Sequence, residues 1–395
     1  MALIQENAKN KYPFVFVHGM FGWGANEGID NLIPYWGAST GNLVEYLTDE
    51  DYDCYAASVG PLSSAWDQAC ELYAQLTGTQ VDYGAYHSAV FGCNRYGRYY
   101  AKPLFDGWSK PDGVKKIHII GHSFGGQAAR MLTYLLTYGS KEEREFSADY
   151  SPLFEGGHED MIASCTAICT PLNGSTMYNA VEKKGLLHPA KGFVSTWAAS
   201  FGRSVLNGKL VDFHLESFGL SATPGESATQ KYLQAIRRFY NTSNSVDGDL
   251  SIAGSKRIND MIEISPHVYY FSYAYDCTGE KKGKLAPTTV DFALLSVFSR
   301  WMIDLGDYYD KPSGMYIDDT WLPNDGLVNV VSALHPFDEP FKDYDPAAIE
   351  QGKWNVMPIY PGDHGTPIGL FSDKVKTHSF YNNLGDLLIS IESKS

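Results

Sequence analysis

Positive charge is scarce in this sequence of 395 residues. Lys and Arg together number 31 against 46 Asp and Glu, which gives a net charge of −15. Binding to nucleic acid or to an anionic membrane through charge requires a basic surface, so the acidic balance argues against both kinds of partner. We therefore expect a neutral substrate.

Long apolar runs are absent as well. No stretch of 18 or more apolar residues occurs, which predicts that no segment spans a membrane. The first ten residues, MALIQENAKN, contain neither the basic region nor the apolar region of a secretory signal. We expect any such signal to have been removed, and the sequence by itself indicates no compartment.

Cysteine is sparse for a chain of this length, which excludes the dense disulfide framework of a small secreted scaffold. We expect most of the cysteines to be free and buried. The six are Cys54, Cys70, Cys93, Cys165, Cys169 and Cys277.

Internal repeats, low-complexity tracts and linkers are also missing. The 44% hydrophobic content supplies ample material for a core. We therefore expect a single domain over residues 1–395, carrying insertions.

Short apolar runs separated by helical patterns dominate the rest of the chain. Such runs predict an α/β fold whose mostly parallel central sheet is buried on both faces. They are YPFVFVHG from Tyr12, CYAASVG from Cys54, VKKIHIIGHS from Val114, MIASCTAICT from Met161, VYYFSYAY from Val268 and WNVMPIYPG from Trp354. Two segments, at about 61–105 and about 174–220, have fewer strand signals and are interpreted as insertions that could rise above the sheet.

The sequence Gly121-His122-Ser123-Phe124-Gly125 is the strongest chemical signal. It follows an apolar strand and precedes the amphipathic stretch GGQAARMLTYLLTYG, which predicts a tight strand-to-helix turn. A G-x-S-x-G turn in this context is typical of a nucleophilic serine, because small flanking residues let neighbouring backbone approach closely. We therefore expect Ser123 to be a nucleophile.

A nucleophilic serine requires two backbone N–H groups that stabilise the oxyanion of the intermediate. Phe124, directly after the serine, predicts the first donor. The strand FVFVHGM ends in His18-Gly19-Met20, and the Gly19 turn would direct the Met20 N–H inward. An ordinary turn is the alternative for this second loop.

The base must be a histidine well downstream of Ser123, because the chain order in this type of fold is Ser, then acid, then His. His364 lies in a glycine-rich loop, YPGDHG, directly after an apolar strand, where a catalytic histidine is expected. His335 precedes a proline, and His378 lies near the start of a terminal helix. Capping or surface roles suit these two better.

The acid is less sharply indicated. Asp325 lies in an Asn-Asp-Gly turn ahead of an apolar stretch, from which its carboxylate could reach the imidazole. Asp318 and Asp319 are rivals by position, and Asp363 is a rival because it neighbours His364. The residues alone leave this choice open.

Longer stretches of the chain resemble a known family. They are similar to the bacterial true lipases of the thermoalkaliphilic Bacillus and Geobacillus group and to the related staphylococcal lipases. The matching stretches are VHGMFGWG, VGPLSSAWDQACELYAQLTG, VDYGAYHSAVFG, HIIGHSFGGQAARML, LFEGGH, TPLNGST and DDTWLPNDGLVN.

The resemblance implies an α/β-hydrolase fold with Ser123, Asp325 and His364 as catalytic triad and with Met20 and Phe124 as oxyanion donors. It also implies that the insertion at about 174–220 is a helical lid over an acyl-binding cleft, with Trp197 and its apolar neighbours facing the cleft. An ordinary packed helical hairpin is the alternative for that segment.

The resemblance further implies a structural zinc ion in the insertion at about 61–105. The matching positions are Asp67, His87, Cys93 and Asp249, where Cys93 replaces the family's second histidine. A thiolate is a good zinc ligand, so this departure preserves the number of ligands. Cys70, three residues after Asp67, is a rival ligand.

Calcium is the second metal of that family, held by acidic residues shortly after the catalytic histidine. The corresponding positions read Gly-Thr-Pro-Ile at 365–368, without the expected glutamate. A calcium site is therefore not expected here.

Taken with the motifs, the resemblance implies a secreted serine ester hydrolase, in particular a triacylglycerol lipase that acts at lipid–water interfaces through an acyl-enzyme. A carboxylesterase for other hydrophobic esters, including polyesters, is the alternative within the same chemistry. A hydrolase fold without activity, used for binding, is the alternative of a different class.

Overall fold

The structure is a computed structural model that describes residues 8–25, 27–108, 113, 116–186, 214, 218 and 242–393. Within these residues the strands are β1 Phe14–Val17, β2 Cys54–Ala57, β3 Gln80–Asp82, β4 Tyr96–Tyr99, β5 Ile117–His122, β6 Ile162–Ile168, β7 Tyr269–Tyr273, β8 Tyr275–Asp276, β9 Thr278–Lys281, β10 Lys284–Pro287, β11 Tyr308–Asp310, β12 Met315–Ile317, β13 Phe341–Asp343, β14 Trp354–Val356 and β15 Tyr360–Pro361.

The helices surround these strands. In the described part of the chain they are α1 Leu43–Asp49, α2 Ala65–Thr77, α3 Ala85–Phe91, α4 Gly125–Tyr138, α5 Lys141–Phe146, α6 Thr176–Lys183, α7 Val246–Leu250, α8 Ile252–Met261, α9 Ala293–Ile303, α10 Val330–Leu334 and α11 Lys374–Glu392, with short 3-10 helices at Pro152–Phe154, Glu159–Met161, Asp319–Trp321 and Thr366–Ile368. None of the described helices combines the length and the apolar character that a membrane span requires.

A seven-stranded sheet forms the centre, in the order β13-β14-β7-β6-β5-β1-β2. Every neighbouring pair in this sheet is parallel, as the near-continuous apolar runs predict. Because the carboxyl ends of parallel strands meet at one edge, the loops after β1, β5 and β6 lie together. This edge carries Gly19, Ser123 and Cys169.

Both faces of the sheet are buried because strand side chains alternate between them. In β1, Val15 and Val17 join the core formed with α2 and α4. Phe14 and Phe16 point to the opposite face and pack with α1 and α11. The sheet is therefore the middle layer of three.

The segment predicted as a first insertion, 61–105, is only partly an excursion from these layers. Helix α2 starts at its cap Ser64, ends at the left-handed Gly78, and buries its apolar side in the same core as α4. The part that follows contains α3 and the two-stranded antiparallel sheet of β3 and β4. The hydrophobic pattern of the sequence did not distinguish the core helix α2 from the small unit of α3, β3 and β4 that follows it.

The segment predicted as a lid, about 174–220, falls mainly outside the described residues. The described positions within it are 174–186, 214 and 218. Trp197 lies outside them.

Candidate active site

Ser123 occupies the turn between β5 and α4. Its φ is 55°, a left-handed value that a residue with a Cβ adopts only at a cost, typically about 1–3 kcal/mol. The Ser123 N–H donates to the Ile168 carbonyl of the neighbouring strand at 2.8 Å, which fixes the turn against the sheet. The serine is thus held by its surroundings in a strained, tightly specified position.

The glycines of the motif are required by close packing. A Cβ added to Gly121 would lie 2.4 Å from the backbone of Gly125, and one added to Gly125 would lie 2.3 Å from the Val17 carbonyl oxygen. Real Cβ atoms do not approach backbone so closely, so larger residues would force the turn apart. The tight turn from Ser123 through Phe124 into helix α4 therefore needs glycine at both positions.

His364 and Asp325 form a buried pair beside this turn. His364 Nδ1 lies 2.8 Å from Asp325 Oδ2, and the His364 N–H donates to the Asp325 carbonyl at 2.8 Å. The second carboxylate oxygen of Asp325 accepts from the N–H groups of Leu327 and Val328 at 2.9 and 2.7 Å. A carboxylate can only accept, so Nδ1 carries a proton, and Nε2 is the nitrogen that can accept one.

The carboxylate of Asp363, the alternative acid next to His364, binds backbone N–H groups and not the imidazole. Its Oδ2 accepts from the N–H groups of Asp291 and Phe292, and its Oδ1 accepts from those of Gly365 and Thr366. All four distances lie between 2.7 and 3.1 Å. Asp363 therefore fastens the loop that carries His364 to the segment ahead of α9.

The remaining rivals have ordinary structural contacts. Asp318 caps a 3-10 helix by accepting from the Thr320 N–H, and Asp319 is an exposed residue of that helix. His335 stacks on Phe341, and His378 stacks on Tyr46, each with ring centroids 3.6 Å apart.

The loop after β1 passes directly over the serine. A Cβ on Gly19 would lie 2.6 Å from Ser123 Cβ and 3.1 Å from Ser123 Oγ. Met20 follows in this loop, and Phe124 is fully buried at the start of α4. The two segments predicted to supply oxyanion donors are therefore adjacent to the Ser123 side chain.

A buried chain of hydrogen bonds runs behind the serine. The Gly19 N–H donates to Tyr35 Oη at 2.9 Å, Tyr35 Oη lies 2.7 Å from His122 Nδ1, and His122 Nε2 lies 2.9 Å from the His364 carbonyl oxygen. The rings of His122 and His364 have centroids 4.8 Å apart. Tyr35 gave no signal in the sequence, because its partners are brought to it only by the tertiary fold.

His122, Cys169 and His364 are the one group of at least three such residues in the described chain whose potential metal-ligand atoms all lie within 4.8 Å of one another. Both ring nitrogens of His122 and the Nδ1 of His364 are already engaged in hydrogen bonds. Burial raises the pKa of the Cys169 thiol well above its ordinary value, which disfavours the thiolate that metals prefer. This group therefore fits a hydrogen-bonded core better than an ion.

Two of the residues predicted to bind zinc face each other in the core. Asp67 on α2 and His87 on α3 are both buried, with Oδ1 and Nε2 3.0 Å apart. Neither atom makes a hydrogen bond of good geometry in the described part of the chain. Buried polar atoms without hydrogen bonds require another partner, and a bound cation is one that suits a carboxylate and an imidazole together.

The other two predicted ligands are Asp249 and Cys93. Asp249 on α7 accepts from the Ala65 N–H at 2.9 Å, and burial raises its pKa to about 7, with the nearby Asp67 carboxylate adding to the increase. Cys93 is half-buried between α3 and β4. The donor types fit zinc, and the structure brings Asp67 and His87 into direct contact.

The positions at 365–368, where calcium is not expected, contribute no carboxylate of their own. The Thr366 hydroxyl oxygen accepts from the Asp363 N–H at 2.9 Å and donates towards the Asp291 carboxylate at 3.2 Å. The carboxylate of Asp363 is occupied by backbone donors, as described above. The loop after His364 is therefore held by hydrogen bonds of Asp363 and Thr366.

Comparison with protein families matches residues 10–394 to the lipase-like C-terminal domain. The chain is 33% identical over 410 residues to lipase 2 of Staphylococcus aureus, covering 98% of this chain and 55% of that protein. The chain thus spans about half the length of this relative.

Solved structures agree with the sequence comparison. The crystal structure of Staphylococcus hyicus lipase is similar with a TM-score of 0.83 and 32% identity, covering 99% of this chain and 98% of that one. The structure of EstA from Clostridium botulinum is similar with a TM-score of 0.80 and 33% identity, covering 96% and 87%. The similarity thus extends over nearly all of the chain.

Proposed function

The chain belongs to the family of lipase-like C-terminal domains, and from that premise we propose that it is a serine ester hydrolase whose substrates are hydrophobic esters, in particular triacylglycerols. The observation that carries the proposal is the position of Ser123. It is a strained serine between the Gly19 loop and the helix α4, close to a buried His364–Asp325 pair.

The proposed reaction is a two-step acyl transfer. His364 Nε2 removes the Ser123 hydroxyl proton while Oγ attacks the ester carbonyl, and the imidazolium then protonates the leaving alcohol. Water activated by the same nitrogen resolves the acyl-enzyme. Asp325 holds the Nδ1–H tautomer and stabilises the positive charge on the ring.

The oxyanion is stabilised by two backbone donors, the N–H groups of Met20 and Phe124. The closeness of Gly19 to Ser123 supports the first assignment, and the start of α4 directly after the serine supports the second. The positive end of the α4 dipole adds to the stabilisation of negative charge there.

Three further features belong to the same proposal. Asp67, His87, Cys93 and Asp249 would hold a zinc ion with four protein ligands, which leaves it no open position and makes it a structural ion. The segment at about 174–220 acts as a lid over the cleft. The protein is secreted, as the resemblance to the staphylococcal and Bacillus lipases implies.

Replacing the nucleophile tests the proposal directly. We expect Ser123→Ala to abolish ester hydrolysis, by a factor on the order of 10⁶ in turnover if the serine is as important as in a serine protease. An organophosphate should label Ser123 in the parent protein and nothing in the variant, as peptide mass spectrometry would show. Full folding of the variant is checked by circular dichroism.

Two outcomes would contradict the proposal. Retention of even a few per cent of activity in Ser123→Ala would mean that another residue is the nucleophile. Absence of labelling in the parent protein would favour a binding protein without activity.

The substrate class needs a separate experiment. Esters of increasing acyl length are assayed below and above their solubility limits, alongside emulsified triacylglycerol and a polyester film. We expect activity to rise when substrate forms an interface. Activity confined to dissolved short esters, or to the film, would assign a carboxylesterase instead of a lipase.

A further inference from the structure

We propose that Tyr35 and His122 are positioning residues that lock the oxyanion loop to the backbone of the catalytic base through one continuous line of hydrogen bonds. This inference rests on the proposed function. It explains how two separate loops, one after β1 and one after β15, are held in fixed positions relative to Ser123.

The two groups at the ends of this line limit which atom donates in each hydrogen bond. The Gly19 N–H can only donate, and the His364 carbonyl oxygen can only accept. The carbonyl therefore requires the His122 proton on Nε2, and because burial lowers the pKa of His122 and keeps the ring neutral, Nδ1 has a free lone pair. Tyr35 Oη accepts from Gly19 and donates its own proton to this lone pair.

The surroundings keep both residues in these states. His122 is 1% exposed, and burial together with the nearby His364 holds its pKa well below the ordinary value. Burial also raises the pKa of Tyr35. Neither group changes charge near neutral pH, so the line of hydrogen bonds persists while His364 itself gains and loses a proton.

The other polar group of Gly19 is fixed as well. His18 Nδ1 lies 2.9 Å from the Gly19 carbonyl oxygen, and His18 Nε2 accepts from the Val59 N–H at 3.2 Å. Tyr35 thus holds the peptide that precedes Gly19 through its N–H, and His18 holds the next peptide, which carries the Met20 N–H, through the Gly19 carbonyl. Preorganised donors of this kind stabilise an oxyanion without reorganising during the reaction.

The line also couples the two halves of the site. Loss of the Tyr35 proton donor would free the Gly19 N–H and let His122 carry its proton on Nδ1. The bare Nε2 would then face the His364 carbonyl oxygen, and the two lone pairs would repel each other. One removed hydroxyl would thus loosen the oxyanion loop and displace the loop of the base.

The test variant is Tyr35→Phe, which keeps the ring and removes only the hydroxyl. Turnover of a dissolved short ester is measured per active site titrated with an organophosphate, so that misfolded protein does not count. We expect turnover per titrated site to fall roughly tenfold to a hundredfold, because small misplacements of reacting groups cost rates of this order. The Michaelis constant should stay nearly unchanged.

Binding of a transition-state analogue gives a second measurement. A trifluoromethyl ketone that adds to the serine should bind more weakly by about the same factor, because it uses the oxyanion donors that the ester in its ground state does not. Nitrogen NMR of histidine-labelled protein should show His122 protonated at Nε2 in the parent and a tautomer mixture in Tyr35→Phe.

The matched control is Tyr381→Phe. Tyr381 is 1% exposed in the same aromatic cluster, and its hydroxyl has no hydrogen-bond partner among the described residues. Its removal should leave turnover per titrated site unchanged.

The possible failures are distinguishable. If the parent protein is not labelled by the organophosphate, the proposed function fails. If labelling is normal but Tyr35→Phe keeps parental turnover per site, or falls no further than Tyr381→Phe, the positioning role is overturned. A parental His122 protonated at Nδ1 would also overturn it.

Discussion

At the residue scale, the two imidazoles behind Ser123, those of His18 and His122, are kept neutral by burial. His18 is completely buried, and loss of solvation lowers its pKa to about 4. His122 has a depressed pKa for the same main reason. Neutral rings can each donate one hydrogen bond and accept one, which is how both are used here.

This arrangement predicts destabilisation by acid. Below about pH 6.5 the unfolded chain protonates His18, whereas the folded protein resists protonation until about pH 4. The stabilising contribution is therefore complete above pH 6.5 and is lost as the pH falls towards 4, by about 3 kcal/mol in all. Urea unfolding between pH 7 and pH 4.5 measures it.

His18→Gln is the test variant for this pH dependence. The variant should be less stable at pH 7 but lose less stability on acidification, whereas His267→Gln, at an exposed histidine, should follow the parent. The comparison between proteins is essential because Asp249, whose pKa is raised, shifts stability in the opposite direction over part of this range. Identical pH slopes in His18→Gln and the parent would contradict the assignment to His18.

The sequence predicted the residues with local signatures better than those defined by tertiary contacts. The turn at Ser123 requires glycines at Gly121 and Gly125, only two residues away on either side, so the local sequence was enough to predict it. Asp325 could not be separated from Asp363 by pattern, because only the fold directs one carboxylate to the His364 ring and the other to backbone N–H groups. Tyr35 has no local signature at all.

At the element scale, the same reasoning explains which strands were predicted. The six apolar runs all contain strands of the central sheet, because strands buried on both faces need continuous apolar sequence. The edge strand β13, FKD, was missed. Two of its three residues are exposed, and a single apolar residue is followed by two charged ones, so the sequence contains no apolar run that would indicate a strand.

The loop between β15 and α11 gives a prediction about Asp363. In Asp363→Asn a single amide oxygen replaces two carboxylate oxygens, and the amide NH₂ would face backbone donors. We expect the melting temperature to fall by several degrees and turnover to fall at least tenfold, because hydrogen bonds to a charged group contribute about 1.5–3 kcal/mol each and His364 is adjacent. Calorimetry and a soluble ester assay measure both.

Asp318→Asn is the control for this loop. An asparagine there keeps the oxygen that caps Thr320, so stability and turnover should be preserved. Added calcium should not raise the melting temperature of the parent, because the Asp363 oxygens are already occupied. Parental stability in Asp363→Asn, or a large stabilisation by calcium, would show that the loop is held differently.

The segment proposed as a lid can be tested without a structure of it. Replacing the apolar side chains around Trp197 with polar ones should reduce activity on emulsified triacylglycerol more than activity on dissolved short esters. A lid affects access at an interface, whereas a supporting element affects the site under all conditions. An equal loss on both substrates would make the segment a structural support.

At the scale of the whole molecule, the proposed metal would join α2, α3 and α7, which come from distant parts of the chain. We expect one zinc ion per chain in protein purified without added metal, measured by elemental analysis. Cys93→Ala should lose zinc and melt at a lower temperature. Acidification should release the ion, because thiolate and imidazole ligands must be deprotonated to bind it.

Cys70→Ala is the matched control for the metal. Cys70 is fully buried on α2, and burial raises the pKa of its thiol well above the ordinary value, so we expect it to remain a thiol and zinc to be retained. Absence of zinc from the parent protein would refute the site. Full retention in Cys93→Ala would keep the site but assign its fourth ligand to another residue.

The two ends of the described chain meet at the edge of the sheet opposite Ser123. Glu392, the last residue of α11, accepts from the N–H groups of Lys11 and Tyr12 at 3.0 Å, just ahead of β1. Since Gly19 follows the other end of β1, a tether attached before Lys9 or after α11 would leave from the side remote from the serine. Protein immobilised on a bead through either end would thus present its catalytic edge to the surrounding emulsion.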